Sequence, residues 1–333
     1  MKITKLIFPL AFIFGIAAGP AAAQPVMKIG TATINDVQHE YAKQFAALIE
    51  KQAPGKLKVE VYPAEQIGSN PRMIEGLSLG TVESLIGPPE FMVGVDPRYQ
   101  ILGAPGVVTD MDHAVRLGAD ARFRNALFSF GDARGIKGIG LVLYGPNAYA
   151  TRKPVRSLAD FKGLKMRTLA SPMHVIAMEK VGATGVPMIP SEALQAISSG
   201  AIDGNRSGMT LFIAFKYFDV VKFATQLNGD ATIYSMFAVG KAWFDKLPGD
   251  TQKLILDTSA ALEPSLNKWS IEENLKAERT WKERGGEVIR ITGPDQAEFE
   301  KRMQTVGDEV VAKNPRIKEA YELMVERARA TRK

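Results

Sequence analysis

The chain has 333 residues, 46% hydrophobic and 23% charged, a composition of folded globular proteins with length enough for two domains. It has no cysteine, which excludes disulfides, thiolate catalysis, zinc–thiolate sites and iron–sulfur clusters together. The formal net charge of +6 is spread along the chain without the basic clusters of a nucleic-acid surface, so no nucleic-acid partner is expected, while a mildly basic body suits anion capture.

In chain order, Lys2 and Lys5 precede an apolar run, Leu6 to Ala18, and then Ala21, Ala22 and Ala23. This order predicts a secretory signal peptide over 1–23, since the run is too short to span a bilayer, and a periplasmic mature protein from Gln24. Cleavage leaves 310 of the 333 residues and, without Lys2 and Lys5, lowers the formal charge from +6 to +4.

Met27–Thr31 reads as a strand, and Tyr41–Lys51 as a helix with Phe45, Leu48 and Ile49 at helical spacing. Leu57, Val59 and Val61 alternate with Lys58 and Glu60 as in a strand with one wetter face. Asn70 offers a helix cap before Pro71, and Gly80 closes that helix. This β-α-β-α grammar predicts a mostly parallel sheet with covering helices, and it resumes near Gly145. There Ser157 caps a turn, Gly163–Thr168 is a strand, Ser171-Pro172 opens a helix, Val186–Ile189 is strand-like and Ser191 caps a helix that stops at Gly200. Two α/β lobes without a flexible linker imply shared crossing segments and a hinge. Asp250 to about Arg284 is helical in composition, with Pro264 expected to break or kink it, and further surface helices follow Pro294.

The three histidines, His39, His113 and His174, have no metal-ligand spacing, and there is no GxSxG elbow, Walker loop or GxGxxG motif. Neither catalytic residues, metal nor cofactor are therefore expected. The segment Asp160–Thr168 is more informative. Alternation puts Lys165 and Arg167 on one strand face, and Arg167 falls at the carboxyl edge of the sheet, where open α/β sheets bind ligands. The Ser171-Pro172 helix start that follows favours anions, and a guanidinium can hold a carboxylate through two parallel hydrogen bonds. On these residues alone, a solvated surface strand with two ordinary cations stands beside the binding reading.

The order and spacing of several segments add a family resemblance. They are Phe45-Ala46-Ala47-Leu48-Ile49, Gly55–Pro63, Gln66-Ile67-Gly68, Glu75-Gly76-Leu77 with Gly80, Asp160–Arg167, and Ala193-Leu194-Gln195 leading to Gly200-Ala201-Ile202-Asp203-Gly204. Through them the mature chain resembles the DctP-type solute-binding proteins of TRAP (tripartite ATP-independent periplasmic) transporters. The resemblance implies a two-lobed clamshell with a long helix spanning both lobes, here the Asp250–Arg284 stretch. It also implies a small organic acid as ligand, Arg167 as its carboxylate anchor, a sodium-coupled membrane permease as partner, and a monomer. The lobes it suggests are 24–144 with a returning segment about 234–272, and 145–233 with a C-terminal segment about 273–333. A sensing module for a membrane kinase and a periplasmic enzyme on an anionic substrate are the alternatives.

The chain departs from the sialic-acid branch of that family. Asn147 stands where that branch has a second arginine, twenty residues before the anchor, and Pro190 stands where an aromatic is frequent. The run Asp203-Gly204-Asn205-Arg206-Ser207-Gly208 puts Ser207 at a usual asparagine and Arg206 at an acidic neighbour. Arg206 is either a second cation in the site or, the favoured reading, a surface arginine salt-bridged elsewhere; His174 either faces the ligand or lies on the helix surface. From the other lobe Asn70, Arg72, Glu90 and Phe91 are candidates, and Tyr149 near Asn147 offers a hydroxyl. Phe91 would stack on a flat ligand or pack structurally, and Glu90 would accept a hydroxyl or be a solvated loop charge. One firm cation with neutral neighbours fits a monocarboxylate; a dicarboxylate requires Arg206 or Arg72 to point inward.

Overall fold

The computed structural model describes residues 24–333; the expected leader, 1–23, lies outside the described residues. The elements in order are β1 (Val26–Thr31), α1 (Val37–Gln52), β2 (Lys58–Tyr62), α2 (Asn70–Leu79), β3 (Ser84–Gly87), α3 (Met111–Ala119), α4 (Ala121–Ser129) and β4 (Ile136–Thr151). Then come β5 (Lys165–Thr168), α5 (Pro172–Lys180), β6 (Thr184–Pro187), α6 (Pro190–Ser198), β7 (Gly204–Gly208), α7 (Met209–Ala214), β8 (Phe223–Gln226) and β9 (Thr232–Gly240). The chain ends with α8 (Lys241–Phe244), α9 (Gly249–Glu283), β10 (Glu287–Arg290), α10 (Gly293–Met303), α11 (Val306–Lys313) and α12 (Lys318–Thr331). No helix among the described residues is long and apolar enough to cross a membrane.

The strands follow the order β2-β1-β3-β9-β4-β7-β5-β6, with β8 joining β4 and β10 joining β8. The β1–β2, β1–β3, β5–β6 and β5–β7 pairs are parallel, as the β-α-β grammar predicts. The two long strands β4 and β9 run antiparallel to their neighbours and make the sheet mixed. Along Ile136–Pro146, β4 pairs with β9; from Asn147 it pairs with β7, and from Tyr149 also with β8. Two half-sheets thus share β4, which gives the two-lobed α/β clamshell.

Apolar residues pack on both sheet faces. One core gathers Tyr41, Phe45, Phe212, Phe237 and Trp281 beneath α1, α7 and α9, with edge-to-face rings such as Phe45–Phe237 at 5.0 Å. The other gathers Met73, Leu117, Tyr149, Met173 and Phe299 beneath α2, α3, α5 and the C-terminal helices.

The helix α9 runs 35 residues through Pro264, so that of the break or kink expected there the break does not occur, and at 1.5 Å per residue it reaches about 50 Å. It touches α1 at one end and α7 and β10 at the other. Side chains on one of its faces serve β4 where the β4–β9 register shifts. Glu263 Oε1 accepts from the Leu141 amide at 3.1 Å, and Asn267 Oδ1 from the Leu143 amide at 2.8 Å. Ser270 and Asn274 both donate to the Tyr144 carbonyl. The spacing 263, 267, 270, 274 keeps all four on one helical stripe. At the second register shift Gly145 has φ +150°, and a Cβ there would lie 2.4 Å from Asn274 Oδ1. Gly80 ends α2 in the left-handed conformation, as expected, but the residue before the helix is Ser69, and Asn70 is its first residue.

Candidate ligand-binding cavity

The carboxyl ends of β1, β3, β5, β6 and β7 converge from the two half-sheets on one narrow, mostly buried cavity. Ala32 and Thr33 follow β1, Pro88 follows β3, Leu169 follows β5, and Ser207 lies near the end of β7. Gln38 of α1, Asn70 of α2, Phe91, Tyr144, Pro190, Leu211 and Ile233 complete the wall with Arg167. All are buried except Phe91, which is half-buried.

Arg167 is 0% exposed, so the solvated-strand reading of β5 does not hold. Its Nε donates to the Met188 carbonyl at 2.8 Å, and its Nη1 to Asn205 Oδ1 at a long 3.4 Å. Asn205 is opposite Arg167 in the β5–β7 register, and its amide donates to the Tyr217 hydroxyl at 2.8 Å, which turns its oxygen to the guanidinium. Among the described residues Arg167 Nη2 has no partner. Burial pulls the guanidinium down to about 10, opposed by Tyr217 and Tyr144, so it is cationic at neutral pH. Among the described residues no carboxylate forms a salt bridge with it. A buried cation so placed is destabilising by several kcal/mol unless an anion arrives to pair with it.

Arg206 has the opposite arrangement. As the neighbour of Asn205 and Ser207 in β7 it projects from the other sheet face, where it is fully enclosed. Its Nε donates to Asp230 Oδ2 at 3.0 Å, its Nη2 contacts Asp230 Oδ1, and its Nη1 contacts His174 Nδ1. Tyr149 donates to the same Asp230 carboxylate at 2.5 Å. Of the favoured reading of Arg206, the salt bridge elsewhere holds and the surface placement does not: Asp230, which Tyr149 shares, keeps it in a buried ion pair, and it does not line the cavity. His174 lies neither on the surface nor in the cavity wall. Burial, then the charges of Arg206 and Arg167, hold it well below the ordinary histidine range, so it is neutral. With Nδ1 accepting from Arg206, the assigned proton sits on Nε2, 3.5 Å from Glu90 Oε1.

Glu90 is completely buried rather than a solvated loop charge, and it faces His174 rather than the cavity. Burial raises its carboxyl to about 8, against the pull of its own backbone amide and Arg206. Tyr149 belongs to this cluster. Asn147 is a further correction: its amide donates to the Ala231 carbonyl at 2.7 Å, tying β4 to the turn before β9. Arg72 is exposed on α2, because its neighbours Asn70 and Met73 take the inward positions. Asn70, Phe91, Ser207 and Arg167 do meet at the cavity, as does Pro190.

Thr33, Gln38, Tyr144 and Asn205 escaped the sequence reading. Thr33 and Gln38 flank Asp36, whose carboxylate caps α1 just past the carboxyl end of β1. That strand-then-cap pattern at a sheet edge was the available signal.

A family model described as bacterial extracellular solute-binding protein, family 7 (DctP), matches residues 30–314. The chain belongs to this family. Among DctP-family relatives, the 2,3-diketo-L-gulonate-binding periplasmic protein of Escherichia coli is 29% identical over 296 residues, covering 87% of this chain and 88% of the relative. The C4-dicarboxylate-binding periplasmic protein DctP of Rhodobacter capsulatus is 30% identical over 302 residues, again 87% and 88%. A TRAP periplasmic solute-binding protein from Desulfovibrio salexigens, solved with bound orotic acid, superposes with a TM-score of 0.87 at 22% identity, covering 93% of this chain and 100% of that one. The shared fold is a binding-protein fold, and the family is one of transporter receptors, not of enzymes.

Proposed function

We propose that this chain is the solute-binding component of a TRAP transporter, capturing a small organic acid between its lobes and delivering it to a membrane permease. The observation that carries the reading is Arg167, a guanidinium buried at the cavity wall with one unpartnered nitrogen and no carboxylate partner among the described residues. Its charge gains most from a ligand carboxylate when water is excluded. The names of the relatives support it, since diketogulonate, C4-dicarboxylates and orotic acid all carry carboxylates.

In this reading the first lobe is 24–144 with 234–272 and the second is 145–233 with 273–333, and α12 returns to pack on α3 and α4. The protein works as a monomer in the periplasm once 1–23 are removed, performs no chemistry on its ligand, and shifts to the closed state when ligand binds. The test is a thermal-shift screen of purified protein, refolded from denaturant, against organic acids, with Arg167→Ala in parallel. An acid at 100 times its dissociation constant should add about 2.7 kcal/mol to the parent and nothing to the variant. Equal stabilisation of both proteins would sink the anchor assignment.

A further inference from the structure

We infer that the cavity selects acids with a single carboxylate and an apolar or hydroxylated frame, and rejects dicarboxylates. The inference rests on the reading of this cavity as the acid site. Charge count is its first support. Among the described residues that line the cavity, Arg167 is the sole charged side chain. The two arginines that could have paired a second carboxylate are accounted for: Arg206 is bound to Asp230 behind the sheet, and Arg72 is exposed on α2.

The rest of the wall is neutral. Among the described residues Gln38 Oε1 and both side-chain polar atoms of Asn70 are buried without partners, and the Thr33 and Tyr144 hydroxyls lie beside the Asp36 carboxyl. Together they offer hydroxyl and amide donors and two carbonyl acceptors, a set that suits a hydroxyl or keto group. Phe91, Leu169, Leu211 and Ile233 supply apolar surface. A second carboxylate here would be buried without a cation, a burial that is strongly unfavourable.

Isosteric pairs test the inference, each replacing a methyl by a carboxylate: butyrate against succinate, 2-hydroxybutyrate against malate, and 4-methylbenzoate against terephthalate. Titration calorimetry on the refolded parent, with Arg167→Gln as control, reads the affinities. The expected result is that the monocarboxylate of each binding pair is at least about 100-fold tighter, with binding lost in Arg167→Gln. A dicarboxylate that binds as tightly as its partner, and is lost in Arg167→Gln, would overturn the selectivity while leaving the acid site standing. Binding of neither kind by the parent would overturn both.

Discussion

Arg167 and Arg206 are two buried arginines on adjacent strands of one sheet, and they differ in what surrounds the charge. Arg206 is neutralised by Asp230, with Tyr149 sharing the carboxylate, whereas Arg167 has only a carbonyl and a distant amide oxygen. Asp230→Asn therefore leaves Arg206 buried and uncompensated, and should lower unfolding free energy by about 3–5 kcal/mol in denaturant titrations. A loss below about 1 kcal/mol would show that the pair is not structural. Sequence made Arg167 legible because strand alternation, sheet-edge position and family resemblance agreed on it. It could not place Arg206, since the partner Asp230 is 24 residues away and nothing in the local pattern of β7 announces the pairing. Glu90 was misread for the same reason: its burial depends on α5, which reaches it only in the folded molecule.

At the scale of elements, the parallel strands and their helices were legible because alternation and caps are local signals. The crossing strands β4 and β9 were not. Both are buried on both faces, so they show no period of two, and the start of a second unit read near Gly145 falls at a bulge inside the single strand β4. Gly145 is there because the chain needs a positive φ and because Asn274 approaches too closely for a Cβ. Gly145→Ala should therefore destabilise by more than about 2 kcal/mol, measured by denaturant unfolding, by forcing both strain and a shift of α9. Ala being tolerated without loss would mean the bulge does not fix the β4–α9 contact. Pro264 teaches the converse lesson: local propensity forecast a break or a kink, and packing of α9 along β4 and α1 carries the helix through it unbroken.

At the scale of the whole molecule, the Glu90–His174 contact joins the segment after β3 to α5 across the two half-sheets. Glu90 is raised from 4.5 to about 8 by burial, so the folded protein holds a proton that the unfolded chain releases. Its contribution to stability is complete below about pH 4.5 and is lost as pH rises towards 8. Between pH 5 and 8 the parent should lose more stability than Glu90→Gln, by an amount on the order of a few kcal/mol. Parallel pH profiles of the two proteins would deny Glu90 this role. His174, held neutral, acts in the opposite direction, losing stability as pH falls below its ordinary value of 6.5, and this is common to both proteins. The role of Arg167 as an anion anchor is tested by the unfolding free energy of Arg167→Met beside the parent, each with and without a saturating acid found by the screen. The variant without acid should be as stable as the parent or more so, because an unpaired buried charge has gone, and acid should stabilise the parent alone. A variant weakened by several kcal/mol without acid, yet still stabilised by it, would contradict the account and make Arg167 a structural residue.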